Sequence, residues 1–172
     1  MGMKLKIGER EEALGYKGGF RFEDTAEGIG VREKDARFSG PLHVEGTLEN
    51  LGGLFRIAGE IRAVRALVCD RCLAEAEVPE RYPFTEEFSR RDEASDAEEN
   101  SFGDDGIELA PLVRDTVLAA LPIRNLCRPD CKGLCPKCGA DLNQGDCGCD
   151  REAVDLRLEV LKNLLNDEPD RS

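Results

Sequence analysis

The chain has no tryptophan, one histidine, two methionines and two tyrosines in 172 residues. A single histidine cannot by itself run most acid–base schemes, and His43 lies in a strand pattern far from any cysteine run, so it reads as an ordinary strand residue. The sequence also has no glycine loop of the GxxxxGK type, no Ser/His/Asp set and no dinucleotide fingerprint. That combination points to a non-enzyme. Long apolar runs are missing too: Val117 to Leu121 is five residues and stops at Pro122, against the roughly 20 that a spanning helix needs. The N-terminus MGMKLKIGEREE has no apolar signal core, and Lys6 stands where a myristoylation signal wants Ser or Thr. The expectation is a soluble, cytoplasmic protein.

Cysteine, by contrast, is concentrated. Six of the eight lie between Cys127 and Cys149, spaced C-x3-C-x3-C-x2-C-x8-C-x-C. Cys135-Pro-Lys-Cys138-Gly139 has the chemistry of a metal-binding knuckle. Two thiolates separated by two residues can face one ion, and Gly139 lets the chain turn so that backbone N–H groups point at the sulfurs. Cys147 and Cys149 return after an eight-residue loop, so Cys135, Cys138, Cys147 and Cys149 can close a tetrahedral structural zinc site. A disulfide framework would need an oxidising compartment, and a thiol-redox centre needs only one reactive CxxC. Cys69-Asp70-Arg71-Cys72-Leu73 sits between two strands and is either half a second metal site or a pair of buried thiols. Ligand counting pairs Cys69 and Cys72 with Cys127 and Cys131, which would clip the sheet to the cysteine segment.

Net charge is −12 and the pI about 4.7, a field that repels phosphates. Nine acids against Arg90 and Arg91 fall between Glu86 and Asp105, so more than half of the net charge sits in one stretch. Arg124, Arg128, Lys132 and Lys137 against Asp130 form a local basic patch. It either contacts RNA or balances a zinc–thiolate site, whose formal charge is −2.

In chain order, Lys4 to Ile7 alternates as a short first strand, and 15–30 reads as loop plus one strand. From Ala36 to Phe88 the period is two. Leu42, Val44 and Leu48 share one face, the stretch from Leu54 to Ala66 alternates apolar with charged, and Val78, Tyr82, Phe84 and Phe88 form a third set. Gly52-Gly53 marks a turn. Sequential strands with short turns imply an antiparallel meander with one wet face. Arg56, Glu60, Arg62 and Arg65 are assigned to that face, as cross-strand pairs rather than an RNA platform. Residues 90–106 read as an acidic linker or surface loop with Phe102 its sole aromatic. A helix comes next, with Asp105 near its start, Pro111 in its first turn, and Leu109, Leu112, Val113, Val117, Ala120 and Leu121 along one stripe until Pro122. Val154, Leu158, Leu161 and Leu165 form the apolar face of a second helix.

Together these pieces resemble the YceD-like family of large-subunit ribosomal RNA accumulation proteins, in its cysteine-rich subtype. The residues that carry the likeness are Cys69-Asp-Arg-Cys72-Leu73, the helix from Leu109 to Asp115 leading to Leu121-Pro122, and Leu126-Cys127 through Cys138-Gly139. Leu142-Asn143, Cys147-Gly-Cys149 and Val154 to Leu158 add to it. The likeness spans about residues 40 to 165. Leu156 departs from it, since the family often has proline there. The resemblance implies a role in accumulation of the large-subunit rRNA, hence ribosome biogenesis, without known catalysis. Some members lack the long cysteine cluster and keep the CxRCL turn, which implies that the cluster is a staple.

The fold class expected is therefore α+β: an antiparallel β-meander or partly open barrel, two packed helices, and a zinc-stapled cysteine segment between them. The divisions are 1–89 for the β region, 90–106 for the linker, 107–166 for helix, cysteine segment and helix, and 167–172 for a frayed tail. Expected cofactors are one zinc, with a second where Cys69, Cys72, Cys127 and Cys131 join. The expected partner is a basic ribosomal protein or assembly factor, with rRNA contact through the basic patch as the other route. The alternative from another class is a thiol-redox enzyme or sensor using Cys69 and Cys72.

Overall fold

The computed structural model describes residues 2–9, 11–90 and 100–150. Two compact units divide it: Met1–Asp70 with Ala74–Cys127, and Arg71–Leu73 with Arg128–Ser172.

The first unit is built on two long strands, β5 (Leu54–Val68) and β6 (Glu75–Arg90), antiparallel over their whole length from Leu54↔Ser89 to Val68↔Glu75. Earlier come β1 (Lys4–Leu5), β2 (Lys17–Asp24), β3 (Arg37–Phe38) and β4 (Leu42–Asn50); later come β7 (Ser101–Phe102), β8 (Ile107–Glu108) and helix α1 (Ala110–Ala119). The main sheet runs β2-β4-β5-β6-β7, with β3 also on β5, while β1 pairs with β8 apart from it. All its pairings are antiparallel except β6 with β7.

Alternation decides what is buried. On β5 the odd residues Phe55, Ile57, Ile61 and Ala63 face the core, as do Leu42, Val44 and Leu48 on β4 and Tyr82, Phe84 and Phe88 on β6. These are the sets the apolar pattern selects. Arg65 corrects the sequence reading. Its position is odd, so it points inward with only 5% of its surface exposed, whereas Arg56, Glu60 and Arg62 are even. Those three do form cross-strand pairs on the wet face: Arg56 with Glu87 at 2.8 Å, Arg62 with Glu45, and Glu60 with Arg81 at 3.7 Å, while Arg62 also meets Glu60 of its own strand at 2.7 Å.

Gly46 and Gly59 are opposed across β4 and β5. A Cβ on Gly59 would lie 2.3 Å from the Glu45 carbonyl oxygen and 2.8 Å from the Phe84 ring. Two absent side chains let the strands bend tightly, and the rings of Phe20 and Phe84 fill the gap. The sheet accordingly curls into a half-barrel.

Helix α1 starts later than Asp105 suggested, with Leu109 at its cap and Pro111 in its first turn, where a missing N–H costs nothing. It presents Val113 and Val117 to the core. Residues 91–99 of the expected linker lie outside the described residues. The stretch 100–106 is not linker: Phe102 is buried and packs edge-on against Phe55, ring centroids 5.2 Å apart. One helix is present among the described residues; the second, expected over Val154 to Leu165, lies outside them.

Candidate metal centre

The second unit has little apolar material of its own among its described residues, and its backbone is organised around sulfur. Leu134 and Asp141 form an isolated antiparallel bridge, which sets Cys135 at the entry of a tight turn. Within it the Cys135 N–H donates to the Ala140 carbonyl and the Gly139 N–H to the Cys135 carbonyl, both at 2.8 Å. Gly139 takes φ of 74°, which a side chain would strain. The turn aims the backbone N–H groups of Cys138 and Lys137 at the Cys135 sulfur and lowers its thiol pKa to about 6.

Cys135, Cys138, Cys147 and Cys149 are free thiols whose Sγ atoms all lie within 4.8 Å of one another. A tetrahedral zinc with Zn–S near 2.3 Å sets its sulfurs about 3.8 Å apart, so shifts of about 1 Å would close the set on an ion. The charge balance fits as well. Hydrogen bonding of the Cys149 thiol to Cys138 and Cys147 pushes it up to about 12. Cys147 receives a lowering N–H from Cys149, but its thiol contacts with Cys135 and Cys138 outweigh it and its pKa is raised. Cys147 and Cys149 therefore hold on to their protons until a cation replaces them.

A second brace lies alongside. Asp141 accepts from the Asn143 N–H at 2.9 Å and from its side-chain amide at 2.7 Å. Asn143 in turn accepts from the Lys132 N–H at 2.8 Å and points its amide at the Cys131 Sγ, 3.5 Å away. The Arg71 guanidinium donates to the Cys131 carbonyl at 2.7 Å, and the Arg71 carbonyl accepts from the Leu134 N–H. In this unit the sulfurs of Cys72 and Cys131 therefore come within 4.8 Å.

In the first unit Cys69 and Cys127 do the same. Cys69 is fully buried where β5 ends, and its N–H donates to the Ala74 carbonyl. Cys127 is placed by Asn125. The Asp70 N–H donates to the Asn125 carbonyl at 2.8 Å, and the Asn125 N–H returns to the Asp70 carboxylate at 2.7 Å. Arg65, ion-paired with Glu80 at 2.7 Å, holds the Asn125 side chain. Sequence reading put Arg65 on the wrong face, gave Asn125 no role, and quoted Asn143 only within the family likeness. The signal for Arg65 was its odd position; the asparagines carried no periodic signal.

Other candidates are placed elsewhere. His43 stands on the wet face of β4, 3.3 Å from Glu23. Arg128 is engaged by Asp130 at 3.4 Å and by Asn143 at 2.9 Å.

Among known proteins, an uncharacterized protein of Mycobacterium tuberculosis is 35% identical over 119 residues, 66% of this chain and 57% of that protein. The chain thus spans little more than half the length of its mycobacterial relatives. The uncharacterized YlbN protein of Bacillus subtilis is 30% identical over 162 residues, covering 87% of this chain and 90% of its own. The chloroplastic large ribosomal RNA subunit accumulation protein YCED homolog 1 of Arabidopsis thaliana is 41% identical over 58 residues, 34% of this chain and 18% of that one. No solved structure matches. The profile described as large ribosomal RNA subunit accumulation protein YceD matches residues 57–165, a span that holds all eight cysteines. The chain belongs to the YceD family.

Proposed function

We propose that the protein is a non-enzymatic factor supporting accumulation of the large-subunit ribosomal RNA, a binding surface held in shape by zinc. The observation that carries this reading is the family match over 57–165, whose description names large rRNA accumulation and no reaction. Cys135, Cys138, Cys147 and Cys149 hold one zinc, and ligand counting leaves Cys69, Cys72, Cys127 and Cys131 as the donors for a second. All-thiolate sites with no open position are structural, and each ion can contribute on the order of 10–16 kcal/mol to folding. Zinc supplies no chemistry here beyond replacing the thiol protons.

The partner is a basic ribosomal protein. A groove of about 800 Å³ in the first unit is lined by Glu86, Asp105, Glu108 and Asp115, with Lys4 the one cation among its described residues, over Phe88 and Phe102. Net charge of −12 steers cationic partners toward the molecule and phosphates away. The test is deletion of the gene from its own host, with the ratio of large- to small-subunit rRNA as readout. The ratio should fall and be restored by the wild-type chain but not by Cys135→Ser. An unchanged ratio would dismiss the reading, as would thiol-disulfide turnover at Cys69 and Cys72.

A further inference from the structure

The two edges of the main sheet are treated differently. At one end the two-residue β7 covers the outer side of β6 only at Ser89 and Arg90, and the rest of β6 carries Pro79 and Pro83, which cannot donate to another strand and so discourage pairing. β2 has no proline, reads KGGFRFED, and lies at the other end of the strand order, with no strand of the described residues on its outer side. Its inward residues Phe20 and Phe22 are only half-buried.

We propose that β2 pairs antiparallel with β2 of a second copy about a two-fold axis at Phe20. Opposed residues must lie on the same face of a continuous sheet, which allows axes through a residue and excludes those between residues. Two such registers pair seven of the eight residues of β2. Centring on Arg21 sets Arg21 against itself. Centring on Phe20 sets Lys17 against Glu23, Gly18 against Phe22 and Gly19 against Arg21, with Phe20 meeting Phe20. Phe22 and Arg21 then each meet a glycine, and the charged residues Lys17 and Glu23 meet each other.

The neighbouring strand extends the match. Within one copy Lys17 lies 3.9 Å from Glu49, and Glu23 lies 3.3 Å from His43. Across the join the row reads His43, Glu23, then Lys17 and Glu49 of the other copy, so that the Lys17 ammonium lies between two carboxylates. Lys17 and Glu23 each keep 62% of their side chains exposed, so both are available.

Sedimentation equilibrium tests this on the full chain. The weight-average mass should climb from 18.9 kDa toward twice that value with concentration, and fall back with salt. Lys17→Glu and Glu23→Lys, checked for folding by circular dichroism, should each weaken association about tenfold, since each turns two attractive pairs into repulsive ones. Mixing the two variants in equal amounts should restore dimers, because each charge again meets its opposite. A wild-type chain that stays at 18.9 kDa overturns the proposal. So do single variants that associate as well as wild type, or a mixture that does not recover.

Discussion

Arg65 and Glu80 form an ion pair inside the first unit, 2.7 Å apart with side chains 7% and 16% exposed. The pair is not isolated: Tyr82 donates its hydroxyl to Glu80, and burial together with that bond raises the tyrosine's pKa above its ordinary value. Arg65 also reaches Asn125, two residues before Cys127. Removing one partner leaves a charge with its desolvation uncompensated. Arg65→Leu and Glu80→Leu should each cost about 3 kcal/mol in urea unfolding, and the double variant should recover part of that loss. Additive losses would mean that the two residues do not act as a pair.

The opposed glycines of β4 and β5 make a separate prediction. A Cβ at Gly46 would sit 2.5 Å from the Ala58 carbonyl oxygen and 3.0 Å from the Gly59 Cα, backbone atoms that cannot swing aside. Gly46→Ala should therefore destabilise by about 1–3 kcal/mol. At Gly53, where nothing lies within 4 Å, the penalty of alanine comes only from φ of 103°. Equal stability for Gly46→Ala and wild type would refute the close approach.

Metal uptake should release protons in a pH-dependent way. With its pKa at about 6, Cys135 is already a thiolate at pH 7.5, while Cys149, at about 12, releases its proton to the buffer only when the ion displaces it. Filling the set formed by Cys135, Cys138, Cys147 and Cys149 should then release fewer than four protons at pH 7.5. Release should increase, and affinity should fall, as pH drops through 6 and Cys135 regains its proton. Calorimetry in buffers of different ionisation enthalpy counts them. A release that does not grow between pH 7.5 and 5.5 would contradict the lowered Cys135 pKa.

Period-two patterning carried most of the first unit, because Leu42, Val44, Ile57, Ile61, Tyr82 and Phe84 each obey the face that the pleat assigns. Arg65 was misplaced by weighing its charge above its parity; burial was open to it because Glu80 and Asn125 supply partners that lie 15 and 60 residues away in the chain. Phe102 was absorbed into a linker by its acidic neighbours, although one aromatic in a polar run is enough to anchor a strand on Phe55. The thiol sets were legible because a metal site demands sulfur at short, regular spacing. Asn143 and Asp141, which brace the same turn, were not, since hydrogen bonds made by short polar side chains leave no period in the sequence.

Metal held by sulfur is the condition on which the proposed role of the second unit rests. Native mass spectrometry of protein purified under reducing conditions, read alongside circular dichroism before and after chelation, tests this directly. The prediction is two zinc ions per chain, one remaining in Cys135→Ser, with structure lost from the cysteine segment on chelation. A reduced, metal-free chain that is fully folded and unchanged by the chelator would contradict it.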